Sequence, residues 1–139
     1  MLDLVEPIGA LDGLPAHAAG IALALVGIVA TFVAQSAMGD AWRIGVEAEE
    51  RTSLVTDGPF ALVRNPIFAA MAPTALGLAL MVPSVVALLG LVALLVALEL
   101  QVRLVEEPHL LRAHGAAYAD YAGRVGRFLP GVGLLRGVR

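Results

Sequence analysis

Two adjacent glutamates, Glu106 and Glu107, stand just past a long apolar run. Ionisable side chains at membrane depth are functional candidates by default. Glu99, Arg103 and Glu106 follow one another at helical spacings of four and three, so a regular helix puts all three on one face. The C-terminal end of a helix dipole is negative and disfavours carboxylates. Two explanations fit. Glu107 caps a new helix that starts at Pro108, with Arg103 neutralising the rest, or the glutamate pair holds a cationic ligand.

A second group lies upstream. Asp57-Gly58-Pro59 is a turn signal, and Arg64-Asn65-Pro66 leads into the next apolar stretch. Asn65 suits the N-cap of a helix and Pro66 its first position. A cap does not exclude a ligand, because a helix N-terminus also attracts anions. Further along, Leu110, His114, Ala117, Tyr118 and Tyr121 recur at spacings of three and four. That pattern predicts one amphipathic helix from Pro108, lying along a membrane or closing over a pocket, and ended by Gly123, Gly126 and Pro130.

The elements that must hold these groups are apolar. Hydrophobic residues make up 59% of the 139 residues, and the mean hydropathy is +0.85. A soluble domain averages about 45–50% apolar. The excess lies in two uncharged stretches, Gly13–Gly39 and Asn65–Leu98. The first fits one membrane span of roughly 20 residues. The second would be about 51 Å long as a single helix, too long for one crossing. Pro83-Ser84 divides it, since proline breaks a helix and serine caps the next. Pro73 falls inside the first arm and predicts a kink there. The expected fold is all-α: a single domain, residues 1–139, forming a polytopic membrane bundle. Its three spans run over about 14–38, 66–82 and 84–105, the last two as a tight hairpin, followed by the amphipathic interfacial helix.

All nine basic residues are arginine. They are absent from residues 1–12 and from the hairpin tip, and gather in the other polar segments. Basic residues mark the cytoplasmic side. The expected topology therefore places the N-terminus outside, and segments 40–65 and 106–139 inside, in a plasma or inner membrane. Trp42, at the end of the first span, suits an interfacial anchor, whereas Glu49, Glu50, Arg51 and Thr52 suggest no role. The arginines form no dense run, which argues against nucleic acid. The chain has no cysteine, so thiolate and Cys-ligated metal chemistry are excluded, and no metal site is expected. The acidic N-terminus does not resemble a secretory signal.

Taken together, the motifs resemble those of isoprenylcysteine carboxyl methyltransferases. Gly58-x5-Arg64-Asn65-Pro66-Ile67-Phe68 is similar to their G-x5-R-H-P-x-Y signature. Glu106-Glu107-x2-Leu110, Gly115-x2-Tyr118-x2-Tyr121 and Arg127-x2-Pro130 are similar to their later motifs. Phosphatidylethanolamine N-methyltransferases share the glutamate pair. The resemblance covers roughly residues 40–130. It implies a membrane methyltransferase that uses S-adenosylmethionine on a lipophilic acceptor entering from the bilayer. Carried over, Arg64, Asn65, Pro66 and Phe68 form one wall of a cofactor site. Glu106, Glu107 and Leu110 form a second, and Tyr118 and Tyr121 form a lid. Arg103 stands behind the glutamates as the residue that orients them or contacts the acceptor. Two positions depart from the signature. Asn65 replaces a histidine and cannot act as a base near neutral pH, and Phe68 replaces a tyrosine. Relatives also have more N-terminal spans, so a second subunit could complete the acceptor side. Two other classes compete. A membrane reductase would need basic residues near an NADPH phosphate, and the arginines are spread out. A non-catalytic lipid- or partner-binding module would use Gly20, Gly27 and the alanines for helix packing.

Overall fold

The computed structural model describes residues 4–39 and 53–137. Trp42, Arg43 and residues 49–52 lie outside the described residues. The described chain is helical. Helix α1 covers Leu14–Met38, α2 Pro66–Met81 and α3 Val85–Gln101. One π turn, Val102–Glu106, joins α3 to α4, Glu107–His114. Helix α5, Ala116–Arg124, follows. Two helical stretches, Leu14–Met38 and Val85–His114, are long and apolar enough to cross a membrane. Helix α2 is apolar but has only 16 residues.

The first two helices are antiparallel and pack through small residues. Gly20, Ala24, Gly27 and Ala34 are the buried residues of α1, spaced to form one seam. They meet Ala70, Thr74 and Gly77 of α2. A Cβ on Gly20 would lie 2.7 Å from the Gly77 carbonyl oxygen, and one on Gly77 would overlap the backbone of Gly20 and Ala24. No side chain fits, so the backbones touch. Thr31 and Thr74 satisfy their hydroxyls within their own helices, on the carbonyls of Gly27 and Ala70. This is the small-residue packing that membrane helices use where burial from water supplies no drive.

The hairpin turns as its sequence predicts. Ser84 caps α3 by accepting from the Ala87 N–H at 3.2 Å. The N-terminal segment closes over this turn: the Ile8 N–H donates to the Pro83 carbonyl at 2.6 Å, and the Val86 N–H to that of Leu4. Helix α2 runs through Pro73 without interruption. The polar groups of both motif segments therefore collect at the opposite end of the bundle.

Two sequence expectations need correction here. The helix that carries the third span does not end before Pro108. The Glu107 N–H donates to the Val102 carbonyl, five residues back, and the helical path continues to His114. A widened turn before Pro108 lets the chain accept a residue that has no N–H. The amphipathic helix after Pro108 is not continuous either. Gly115 adopts φ 54° and ψ −126°, a conformation open to glycine and strained for residues with a Cβ. The segment splits there into α4 and α5, and the register changes. Ala117, expected on the packed face, is exposed, whereas Ala122 is fully buried beside Tyr118 and Tyr121.

Candidate functional site

The centre of the polar end is a buried ion cluster that ties three distant segments together. Arg64 precedes α2, Glu107 opens α4, and Arg127 lies beyond α5. All three are buried. Arg64 Nη2 donates to Glu107 Oε1 at 2.6 Å. Arg127 holds the same carboxylate in a fork, Nε to Oε1 at 2.7 Å and Nη2 to Oε2 at 3.0 Å. Its third nitrogen, Nη1, reaches Glu99 Oε1 at 3.2 Å. Glu99 also accepts from Arg103 Nε, one helical turn on. The planar fork of arginine matches a carboxylate, and such pairs are among the stronger hydrogen bonds. The expected role of Glu107 as a helix cap does not appear: its side chain turns inward to the two arginines, and the N-cap position is Glu106, which makes no side-chain cap.

The π turn explains why Glu107 rather than Glu106 shares Arg127 with Glu99 in this cluster. In a regular helix a separation of eight residues rotates the side chain by about 80°. One residue taken up by a π turn leaves an effective separation of seven, and the offset shrinks to about 20°. Glu106, expected on the Glu99 and Arg103 face, is turned away and half-exposed. Gln101 Nε2 lies 3.5 Å from its Oε1. Arg103 is exposed.

Arg64 is also the bolt for the C-terminal segment. Beyond Glu107, its Nη1 donates to the carbonyls of Ala122 at 2.9 Å and Val125 at 2.5 Å, and its Nη2 to that of Gly133 at 2.9 Å. Four of the five donors of a guanidinium are thereby used. The fifth, Nε–H, is buried and has no partner among the described residues. The backbone adds a short parallel bridge between Val63 and Gly126. The Arg64 N–H donates to the Gly126 carbonyl at 2.7 Å and the Asn65 N–H to that of Arg127 at 3.1 Å.

Asn65 does stand at the N-cap of α2, ahead of Pro66, but it makes no side-chain cap. Its Nδ2 donates instead to the Arg127 carbonyl at 3.2 Å. Tyr118 and Tyr121 pack edge to face with ring centres 6.1 Å apart. Leu54, Leu110, Leu111, Val125 and Leu135 surround them. The Tyr121 hydroxyl donates to the Phe60 carbonyl at 2.6 Å, linking α5 to the short turn Gly58–Ala61. Burial raises the pKa of both phenols, that of Tyr121 to about 12. Arg127 is held above its ordinary value, chiefly by its bond to Glu107.

The structure thus brings Arg64, Asn65, Pro66, Glu107, Tyr118 and Tyr121 into one packed unit. Phe68, Glu106 and Leu110 are half-buried at its margin, and Arg103 is outside. The residue that sequence reasoning did not single out as a site residue is Arg127. Its motif, Arg127-x2-Pro130, was visible, but its pairing with Glu107 depends on the tertiary fold.

Comparison with known families matches residues 15–117 to the phospholipid methyltransferase family. A nickel-cobalt-cadmium resistance protein, NccN from Alcaligenes xylosoxydans xylosoxydans, is 30% identical over 117 residues, which cover 84% of this chain and 54% of that protein. The chain spans about half the length of this curated relative. No solved structure matches. The family match extends over most of the chain, through all three long helices and the Arg64 and Glu107 members of the ion cluster, and ends before Arg127. This protein belongs to the phospholipid methyltransferase family and is a helical membrane protein.

Proposed function

We propose that the protein transfers a methyl group from S-adenosylmethionine to a lipophilic acceptor at the cytoplasmic end of the bundle. The observation that carries this reading is the convergence of both motif segments, Arg64-Asn65-Pro66 and Glu106-Glu107, on one cluster in a chain of this family. The acceptor is a carboxyl, thiol or amine compound drawn from the bilayer. In this reading the N-terminus is outside and the polar end is cytoplasmic, as the arginine distribution suggests.

The donor set suits the cofactor. Arg64 Nε–H is a buried donor left over, and the α2 N-terminus carries no side-chain cap. Both suit a carboxylate. Glu106 is half-exposed and suits an ammonium or a ribose hydroxyl. Glu107 accepts three hydrogen bonds from arginine, which leaves about one of a carboxylate's four acceptor sites. Its larger role is to fix the wall that Glu106 and Leu110 share with it. Phe68 and Pro66 line the facing wall, and Tyr118 and Tyr121 hold the lid closed from behind. Arg103, exposed and paired to Glu99, reaches toward the acceptor. When bound, S-adenosylmethionine supplies an activated methyl group on a sulfonium. The protein's part is alignment and exclusion of water, which such a displacement needs more than a covalent nucleophile.

Purified protein incubated with radiolabelled S-adenosylmethionine and a native lipid extract tests the reaction. Label in an organic-soluble product, abolished by excess S-adenosylhomocysteine, is the expected result. Absence of transfer to extract, prenylated thiols and phospholipid amines alike would contradict it.

A further inference from the structure

Two lengths locate the membrane boundary at the polar end. Helix α2 has 16 residues, about 24 Å at the usual rise, against a hydrocarbon core of about 30 Å. The core therefore extends past at least one end of α2. On the neighbouring arm of the helical hairpin, exposed apolar side chains continue beyond α3. Leu100, Leu104 and Val105 all face outward, so outward apolar side chains recur from Val85 to Val105, about 30 Å along the helix, with exposed Gln101 and Arg103 among them near its end, placed to snorkel toward the headgroups. Glu99 lies about 9 Å short of that limit, on the side that meets Arg127. By the α3 measure the ion cluster sits at the depth of the outer acyl chains rather than above the headgroups, and the short α2 is consistent with that.

The chain that follows Arg127 must share that depth. The Arg127 carbonyl is bonded to the start of α2. The turn beyond it is held by the Val132 N–H on the Leu129 carbonyl at 3.1 Å and the Arg127 N–H on that of Val132 at 2.7 Å. This small closed turn carries no charge after Arg127, and its two large aliphatic side chains point away from the protein: Leu129 is 63% and Val132 58% exposed. Leu62, beside the Val63–Gly126 bridge, is 65% exposed. A turn closed by two of its own backbone hydrogen bonds, with its aliphatic groups facing outward, suits the interfacial edge of the acyl region, where headgroups and water still reach the remaining backbone groups.

We propose that the turn Phe128–Val132 is inserted into the membrane, with Leu129 and Val132 among the acyl chains just below the headgroups, and that it anchors the C-terminal segment over the ion cluster. This rests on the membrane reading of the bundle and is independent of methyl transfer. The absence of cysteine makes a clean test available. Single variants Leu129→Cys, Val132→Cys and Leu95→Cys are labelled with an environment-sensitive fluorophore and reconstituted into phosphatidylcholine vesicles. Lipids carry a nitroxide either near the carbonyl or near the chain end. The expected result is blue-shifted emission at 129 and 132, resistance to aqueous iodide, and stronger quenching by the shallow nitroxide. The label at 95, in the middle of α3, should respond more strongly to the deep one. Water-like emission and iodide quenching at 129 and 132, with 95 still quenched by lipid, would overturn the proposal. Loss of lipid quenching at 95 as well would overturn the membrane reading beneath it.

Discussion

The seam between α1 and α2 and the cluster between Arg64, Glu107 and Arg127 solve the same problem in opposite ways. Each holds together chain segments far apart in sequence. The seam has no charge and almost no side chain: glycine and alanine let two backbones touch, and the gain is dispersion over a long contact. The cluster relies on a few buried groups, each satisfied by several others. Seam contacts are many and individually small, so damage there grows with the volume added. Cluster contacts are few and coupled, so removal of one partner strands the rest. Pairing repays the desolvation of buried charges only when the geometry is complete.

That contrast orders the expected effects. Glu107→Gln should be the most damaging single change, because it leaves Arg64 buried without a counter-charge and Arg127 with only the half-buried Glu99. Breaking one partner from a buried pair costs about 3–5 kcal/mol. Thermal unfolding in detergent should show a large drop in Tm before any ligand is added. Near-normal Tm would mean that the carboxylate is not the keystone of the clasp. Gly77→Val tests the seam. Its side chain would overlap the backbone of α1, and overpacking typically costs about 1–3 kcal/mol. The helices should separate locally, which a spin-label pair across the seam would register as a longer distance. If distance and stability are both unchanged, the close approach described here is incorrect.

Smaller effects lie at the periphery of both regions. Ser84→Ala removes the cap of α3 and should cost about 1 kcal/mol, read as a modest Tm shift with ligand affinity intact. Tyr121→Phe removes one hydrogen bond to Phe60, again about 1 kcal/mol. The chain has two tyrosines, both buried, so phenolate absorbance reports on this site alone. Burial raises both phenols, Tyr121 to about 12. The folded state therefore keeps a proton that the unfolded chain releases from about pH 10. The sign follows: this contribution to stability is whole below about pH 10 and is lost as pH rises toward 12. A phenolate signal already complete near pH 10 in folded protein would contradict the burial.

Much of the bundle was legible in the residues. Proline, serine and the limits of the apolar runs set α1, α2 and α3 to within a few positions, because local chemistry decides those boundaries. The two misreadings share a cause. Whether a helix passes Pro108 or breaks at Gly115 is decided by which distant partners the chain can reach. The π turn brings Glu107 to Arg64 and Arg127, and no spacing rule anticipates an inserted residue. Asn65 was rightly placed at a helix start, yet its side chain serves Arg127 instead of a cap. Arg127 stands out in the sequence only through its motif with Pro130, and its pairing is hidden there because its carboxylate partner lies twenty residues upstream.

In the proposed function, this end of the molecule binds S-adenosylmethionine. The most direct measurement is the affinity of S-adenosylhomocysteine for the full chain in detergent, paired with ligand-free Tm, in the native protein and in Glu106→Gln. Native protein should be stabilised by the ligand in a concentration-dependent way. Glu106→Gln should keep its ligand-free Tm, because Glu106 lies outside the clasp, and should bind about 10- to 100-fold more weakly, the loss of one charged hydrogen bond. Stabilisation by NADPH in place of S-adenosylhomocysteine, or by neither, would contradict the account.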